Sequence, residues 1–264
     1  ALRPLKFHPI LKQTLWGGER IIPYKELASG LSRVGESWEL SGMPGSESVV
    51  AEGPWAGSTL SELIGRFGAE LLGKANYARF GQEFPLLVKF IDAREDLSIQ
   101  VHPDDELARK RHGKSGKCEM WYVLEAEPGA SLLTGFSRPI APAEYERRVA
   151  DNTLTDVLNR QAIASGDVFY LPAGRVHSIG KGSFIVEIQQ SSDITYRIYD
   201  FDRRDAAGNS RELHTELARE AIDFESSENS RITYAPENNQ EVRLVTTPYF
   251  TTSLYTPVSY THLT

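Results

Sequence analysis

The stretch Gly166-Asp-Val-Phe-Tyr-Leu-Pro172-Ala-Gly174-Arg-Val-His177 constrains the fold more than any other part of this chain. Proline cannot donate to a strand ladder, and glycine supplies turn conformations that other residues avoid. Their spacing therefore predicts two short strands and a tight corner that delivers His177 onto the strand that follows. Similar short runs, punctuated by Gly and Pro, recur at 84–91, 131–134, 184–190 and 194–200. No repeat of fixed period is visible. Many short strands with such punctuation favour a β-barrel or jelly roll over a doubly wound α/β sheet.

A second stretch, Leu97-Ser98-Ile99-Gln100-Val101-His102-Pro103, alternates with the period of a strand. Leu97, Ile99 and Val101 share one face; Ser98, Gln100 and His102 share the other. An amide and an imidazole two residues apart reach one point above the strand, as two ligands of a single metal ion do. An ordinary half-exposed strand reads the same way, so metal binding requires further ligands from other segments. In the strand expected at 117–124, Lys117, Glu119 and Trp121 lie opposite Cys118, Met120 and Tyr122. At 194–200, Thr195, Arg197 and Tyr199 lie opposite Ile194, Tyr196 and Ile198. Helices are expected at 58–73, where Thr59 and Glu62 have capping-box spacing, and at 104–112, which runs from acids to bases and stops at Gly113. Short helices are expected within 141–159 and one at 212–222. His112 reads as a surface residue and His214 as structural. Trp16 and Trp38, beside glycines, read either as core anchors or as walls of a sugar pocket, since an aromatic face packs on the apolar face of a sugar ring.

Composition narrows the function. A net charge of −7 argues against a general nucleic-acid binder, which needs clustered Lys and Arg, but leaves room for a small anionic substrate. Cys118 is the only cysteine, so no intrachain disulfide forms and a reducing compartment is expected. No apolar run is long enough to span a bilayer and no signal-peptide pattern opens the sequence. A cytoplasmic protein without membrane or nucleic-acid partners is the expectation.

Gly166-(x5)-Pro172-x-Gly174-(x2)-His177 resembles the second cupin motif, which ends in a metal-binding His; Lys181 stands where an Asn is usual. The first cupin motif reads His-x-His, then a Glu, then six residues and a Gly. Here Gln100-x-His102 takes its place. For the Glu, Glu106 has the closer spacing but falls in the helical segment. Glu119 opens Glu-Met-Trp-Tyr-Val-Leu-Glu, with Ala126 where the Gly would fall, and is preferred, with a helical insertion between the ligands. Gln in place of His, together with Leu97 to Asp104, Lys117-x-Glu119 and Tyr196-Arg197, resembles the class I mannose-6-phosphate isomerases, zinc enzymes, in their short bacterial form. The likeness runs from Leu15-Trp16-Gly17-Gly18 to about residue 224.

That resemblance implies a mainly β, cupin-type jelly-roll barrel with a few short helices. It implies one Zn²⁺ per chain held by Gln100, His102, Glu119 and His177, with Arg197 catalytic. Lys117, on the face of Glu119, is placed for proton transfer; a surface lysine before a strand is the other reading. Ser98 and Arg203 are expected at the substrate's phosphate and Trp16 at the sugar. The implied reaction interconverts mannose 6-phosphate and fructose 6-phosphate through an enediol, in a monomer or homodimer whose partner is a small sugar phosphate. A catalytic domain at 1–224, a linker at 225–240 and the start of a second small β domain at 241–264 are expected. Because family chains continue through that second domain, and Val258-Ser-Tyr-Thr-His-Leu-Thr264 resembles adapter read-through, a truncated chain is expected and His262 is given no role. The rival readings are a cupin oxygenase or another metal-dependent sugar-phosphate isomerase, and a non-catalytic sugar-binding cupin. Gln100 counts against an oxygenase, whose iron favours two or three His.

Overall fold

Apolar residues alternating with a period of two drive most of this chain into antiparallel strands. The computed structural model describes residues 3–205, 207–225 and 229–258. In chain order the elements are β1 Ile10–Gln13, α1 Ile21–Tyr24, β2 Val34–Met43, β3 Ser46–Glu47, α2 Leu60–Phe67, α3 Ala69–Leu72, α4 Lys74–Phe80, β4 Leu86–Ala93, β5 Ile99–Val101 and α5 Asp105–His112. Then come β6 Glu119–Ala126, β7 Ser131–Phe136, α6 Pro142–Ala150, a 3₁₀ turn Leu154–Val157, β8 Leu158–Ala162, β9 Val168–Leu171, β10 His177–Ile179 and β11 Ser183–Gln190. The chain continues through β12 Tyr196–Tyr199, α7 Thr215–Ala221, β13 Arg231–Ile232, β14 Glu241–Thr246 and β15 Thr251–Tyr255.

The strands form two main sheets. One runs β1-β2-β4-β11-β6-β9-β13, with β3 on β2; the other runs β12-β5-β10-β7-β8. Their inner faces meet around Trp16, Ile91, Trp121, Leu132, Phe169 and Ile179. The outer face of the second sheet is covered by α6 and α7, through Ile99, Val101, Tyr145, Ile198 and Ala218. The outer face of the first is covered by the β14–β15 hairpin, through Met120, Val168, Leu244 and Phe250. This is the mainly β barrel with short helices that the sequence predicts.

Local signals account for the helices. Thr59 Oγ1 accepts from the Glu62 N–H at 3.2 Å and the Glu62 carboxylate accepts from the Thr59 N–H at 2.9 Å, closing the expected capping box. Asp104 caps α5 by accepting from the Leu107 N–H at 2.8 Å, and Gly113 ends it at φ 65°. The helix expected from 212 begins only at Thr215. Residues 212–214 lie instead along β12, where the His214 N–H donates to the Arg197 carbonyl at 2.7 Å. Within 225–240, Arg231–Ile232 adds β13 to the edge of β9, so part of the expected linker belongs to the sheet. The tail 259–264, with His262, lies outside the described residues. Among the described residues no helix is long and apolar enough to cross a membrane.

Candidate active site

Strand register builds the site as two facing rows. Across the first sheet, Trp38, Lys89, Glu187, Trp121 and Phe169 stand side by side on β2, β4, β11, β6 and β9. Across the second, Arg197, Gln100, His177 and Thr134 do the same on β12, β5, β10 and β7. Cross-strand neighbours share a face and touch, so two such rows bring residues distant in sequence around one space. Glu119 lies two residues before Trp121 on its face, and His102 leaves the end of β5. Gly174 fastens the corner to this strand: its N–H donates to the His102 carbonyl at 2.9 Å. A Cβ at Gly174, whose φ is +85°, would come within 3.1 Å of the Ala221 carbonyl oxygen.

One atom each from His102, Glu119 and His177 lies within 4.8 Å of the others, and all three residues are buried. The tautomers follow from their partners. His102 Nδ1 is 2.8 Å from the Ile194 carbonyl and His177 Nδ1 is 2.8 Å from the Arg175 carbonyl. Both Nδ1 atoms therefore carry the proton, and both Nε2 lone pairs turn to the Glu119 carboxylate, at 3.5 and 3.3 Å. Lone pairs facing an anion repel unless a cation joins them. Neither Glu119 oxygen accepts an aligned hydrogen bond, although Lys117 Nζ stands 2.9 Å from Oε2. Burying such oxygens without a donor is costly. Two neutral imidazoles and a carboxylate form a donor set that suits Zn²⁺ and fits a resident divalent ion.

Gln100 lies at the rim of this cluster. Its Oε1 accepts from Ser98 Oγ at 3.1 Å and its Nε2 lies 3.4 Å from His177 Nε2. The two amide termini are interchangeable in shape, and the reversed amide would turn its oxygen to the same centre.

The charges settle accordingly. Burial alone would raise the Glu119 carboxyl, but the Lys117 ammonium leads the contributions that outweigh it and hold it well below its ordinary value. Burial, then the Lys117 ammonium, pushes His102 down to about 3, and burial lowers His177 as well. Both rings are thus kept neutral, the state a metal ligand requires.

Beside the cluster is a cavity of about 150 Å³ lined by Trp16, Glu36, Lys89, Ser98, Gln100, Lys117, Glu187, Thr195, Arg197 and Arg211, among others. Gln100 and Lys117 line the cavity wall and also touch the cluster. Lys117 is buried, 3.2 Å from His102 Nε2 and 3.8 Å from Glu187, which removes the surface-lysine reading. Trp16 is buried yet reaches the cavity, and a Cβ at the neighbouring Gly17 would overlap the Arg33 carbonyl. Arg197 lines the wall with its Nε buried and unbonded. Burial, then the charge of Arg211, lowers its pKa. Arg203 stands apart from the rest: it does not line this cavity, and its guanidinium donates to the Asp96 carbonyl. His112, read as a surface residue, is exposed but places Nε2 2.8 Å from the Tyr196 hydroxyl.

Glu36, Lys89, Glu187 and Arg211 are cavity residues that the sequence reading missed. Lys89 Nζ sits 2.9 Å from Glu187 and 3.9 Å from Glu36, while Trp121 Nε1 donates to Glu187 at 2.9 Å. The available signal was a lone charge on an otherwise apolar strand face, as in Leu87, Lys89, Ile91 and in Ile185, Glu187.

Fold and site together define a cupin-type antiparallel barrel with a candidate metal centre beside a polar cavity. A family model for the catalytic domain of type I phosphomannose isomerase matches residues 5–135. The probable mannose-6-phosphate isomerase GmuF of Bacillus subtilis is 39% identical, over 83% of this chain and 68% of its own. The mannose-6-phosphate isomerase of Streptococcus mutans is 37% identical, over 94% of this chain and 77% of its own. The crystal structure of the Bacillus subtilis mannose 6-phosphate isomerase superposes with a TM-score of 0.85 at 33% identity, covering 94% of this chain and 78% of that one. The chain belongs to the mannose-6-phosphate isomerase family, and is an isomerase.

Proposed function

We propose that this chain interconverts mannose 6-phosphate and fructose 6-phosphate in the cavity beside the His102–Glu119–His177 cluster, with one Zn²⁺ held by those three residues and Gln100. One observation carries the reading: two buried imidazole nitrogens and the Glu119 carboxylate converge within 4.8 Å of one another, and neither carboxylate oxygen accepts an aligned hydrogen bond. When bound, Zn²⁺ supplies Lewis-acid stabilisation of negative charge on the sugar's oxygens.

The chain's own groups supply the rest. In the aldose-to-ketose direction a proton leaves C2 and returns at C1 by way of an enediol. Lys117 Nζ, on the cavity wall beside the cluster, is the group assigned to carry that proton. Arg197 offers a planar fork to the developing oxyanion, and its unbonded buried Nε supports that assignment. Ser98 holds the Gln100 amide through its hydroxyl. Trp16 packs on the sugar ring. Arg203 contributes positive charge toward the phosphate from outside the cavity wall. The setting is cytoplasmic and the partner is a small sugar phosphate, acted on by a monomer or homodimer.

The decisive experiment joins metal content to turnover. Purified protein carries about one zinc per chain, loses isomerase activity to a chelator and regains it with Zn²⁺. Arg197→Ala keeps its zinc and loses most of its turnover, leaving a small residual rate. Full zinc and full rate in His177→Ala would overturn the ligand assignment.

A further inference from the structure

β12 is an edge strand of its sheet, so among the described residues one side of its backbone has no strand partner. Arg197 sits opposite Gln100 on β5, and the pairing slips by one residue between Arg197 and Tyr199. A residue beside such a bulge is poorly fixed by the ladder alone. Residues 212–214 close the open side. The Arg197 N–H donates to His214 Nδ1 at 3.2 Å, the His214 N–H donates to the Arg197 carbonyl at 2.7 Å, and Arg197 Nη1 donates to the Glu212 carbonyl at 2.9 Å.

His214 is also the residue that precedes α7, a position where Ser, Thr, Asp or Asn side chains usually bond the helix's first N–H groups. Its side chain makes no such bond. It reaches back to Arg197 instead. As an acceptor from a backbone N–H, Nδ1 carries the lone pair; the proton is on Nε2, which faces the Glu212 carboxylate at 3.8 Å.

We propose that His214 is a positioning residue for the isomerase reaction, whose imidazole Nδ1 fixes the backbone of Arg197 and so aims its guanidinium into the cavity. This rests on the reading of Arg197 as catalytic.

The test uses the zinc-loaded chain with mannose 6-phosphate as substrate, and compares His214→Ala, His214→Asn, His214→Gln, Arg197→Ala and the His214→Ala/Arg197→Ala pair. An Asn oxygen occupies the place of Nδ1, whereas a Gln oxygen falls nearer that of Nε2. In His214→Ala, kcat falls about tenfold, the scale of a small misplacement of a reacting group, while KM stays within about twofold and zinc content is unchanged. His214→Asn restores most of the rate and His214→Gln does not. The double variant is no slower than Arg197→Ala alone, because both changes remove the same contribution. Equal rates in the Asn and Gln variants, a wild-type rate in His214→Ala, or additive losses in the double variant would overturn the proposal while leaving Arg197's role intact. A wild-type rate in Arg197→Ala would instead overturn the reading of Arg197 itself. If the Ala variant does not fold, the Asn and Gln pair still decides.

Discussion

The two faces of β6 bury the same strand in opposite ways. Outward, Cys118, Met120 and Tyr122 pack against Val168, Leu244 and Phe250. Inward, Lys117, Glu119 and Trp121 enter a region where nearly every polar group is charged and answered by another. The outward face is held by contact area and shape, so its cost of change scales with volume. The inward face is held by pairing, so removing one member leaves its partner charged and dry. One side of the strand is held by packing and the other by charge pairing.

The largest expected effect tests the inward face at its centre. Glu119→Gln keeps the shape but removes the charge shared by His102 and His177. Zinc and turnover both fall to background, beyond the roughly 10–100-fold that losing an outer partner of a ligand costs. Retained zinc, measured by elemental analysis, would break the comparison.

Next is the pairing behind it. Burial opposes the Lys89 ammonium, yet Glu187 and Glu36 outweigh that and raise its pKa. A raised lysine contributes stability in full below its ordinary value and loses it only as pH climbs through the raised one. Lys89→Met therefore costs about 3–5 kcal/mol at neutral pH, because two carboxylates lose the cation between them. Adding Glu187→Gln to it recovers a large part, as read from denaturant midpoints. No recovery would mean that Lys89 acts by packing rather than by charge.

On the outward face, fully buried Met120 sets the scale for a neutral change. Met120→Ala costs about 2–4 kcal/mol through the cavity it leaves, and Met120→Leu under about 1.5 kcal/mol. Zinc content stays at the level of the unaltered chain in both, and lost zinc would show that the faces are coupled.

The smallest effect is on Cys118, whose thiol burial pushes up to about 11. At pH 8 it is a neutral thiol, so iodoacetamide leaves the native chain unlabelled and modifies its one cysteine only after denaturation. Labelling of the native chain at pH 8 would show that this face opens.

Sequence made the ligand strand and the corner readable for a local reason. Alternation places Gln100 and His102 on one side, and Pro172 and Gly174 bend the chain before His177. Nothing local joins Lys89 to Glu187, or Arg197 to Gln100. Those neighbours are created by strand register, which depends on how two distant segments align. Arg203 shows the converse: a position near the site in sequence, next to the β12 run, whose guanidinium turns to the Asp96 carbonyl and not into the cavity. His214 was readable as structural, yet the bond from the Arg197 N–H to its ring could not be read from its place at a helix start.

The hairpin behind β6 reaches the reaction in its own way. The Tyr249 hydroxyl donates to Asp105 Oδ2, and the other oxygen of Asp105 accepts the Gly116 N–H and the Gln190 amide. The turn that presents Lys117 is thus moored to residues beyond 240. A chain trimmed back to its helices and main sheets would keep every proposed ligand while losing that mooring, so the hairpin is a brace for the lysine proposed to carry the proton as much as a cover for the core.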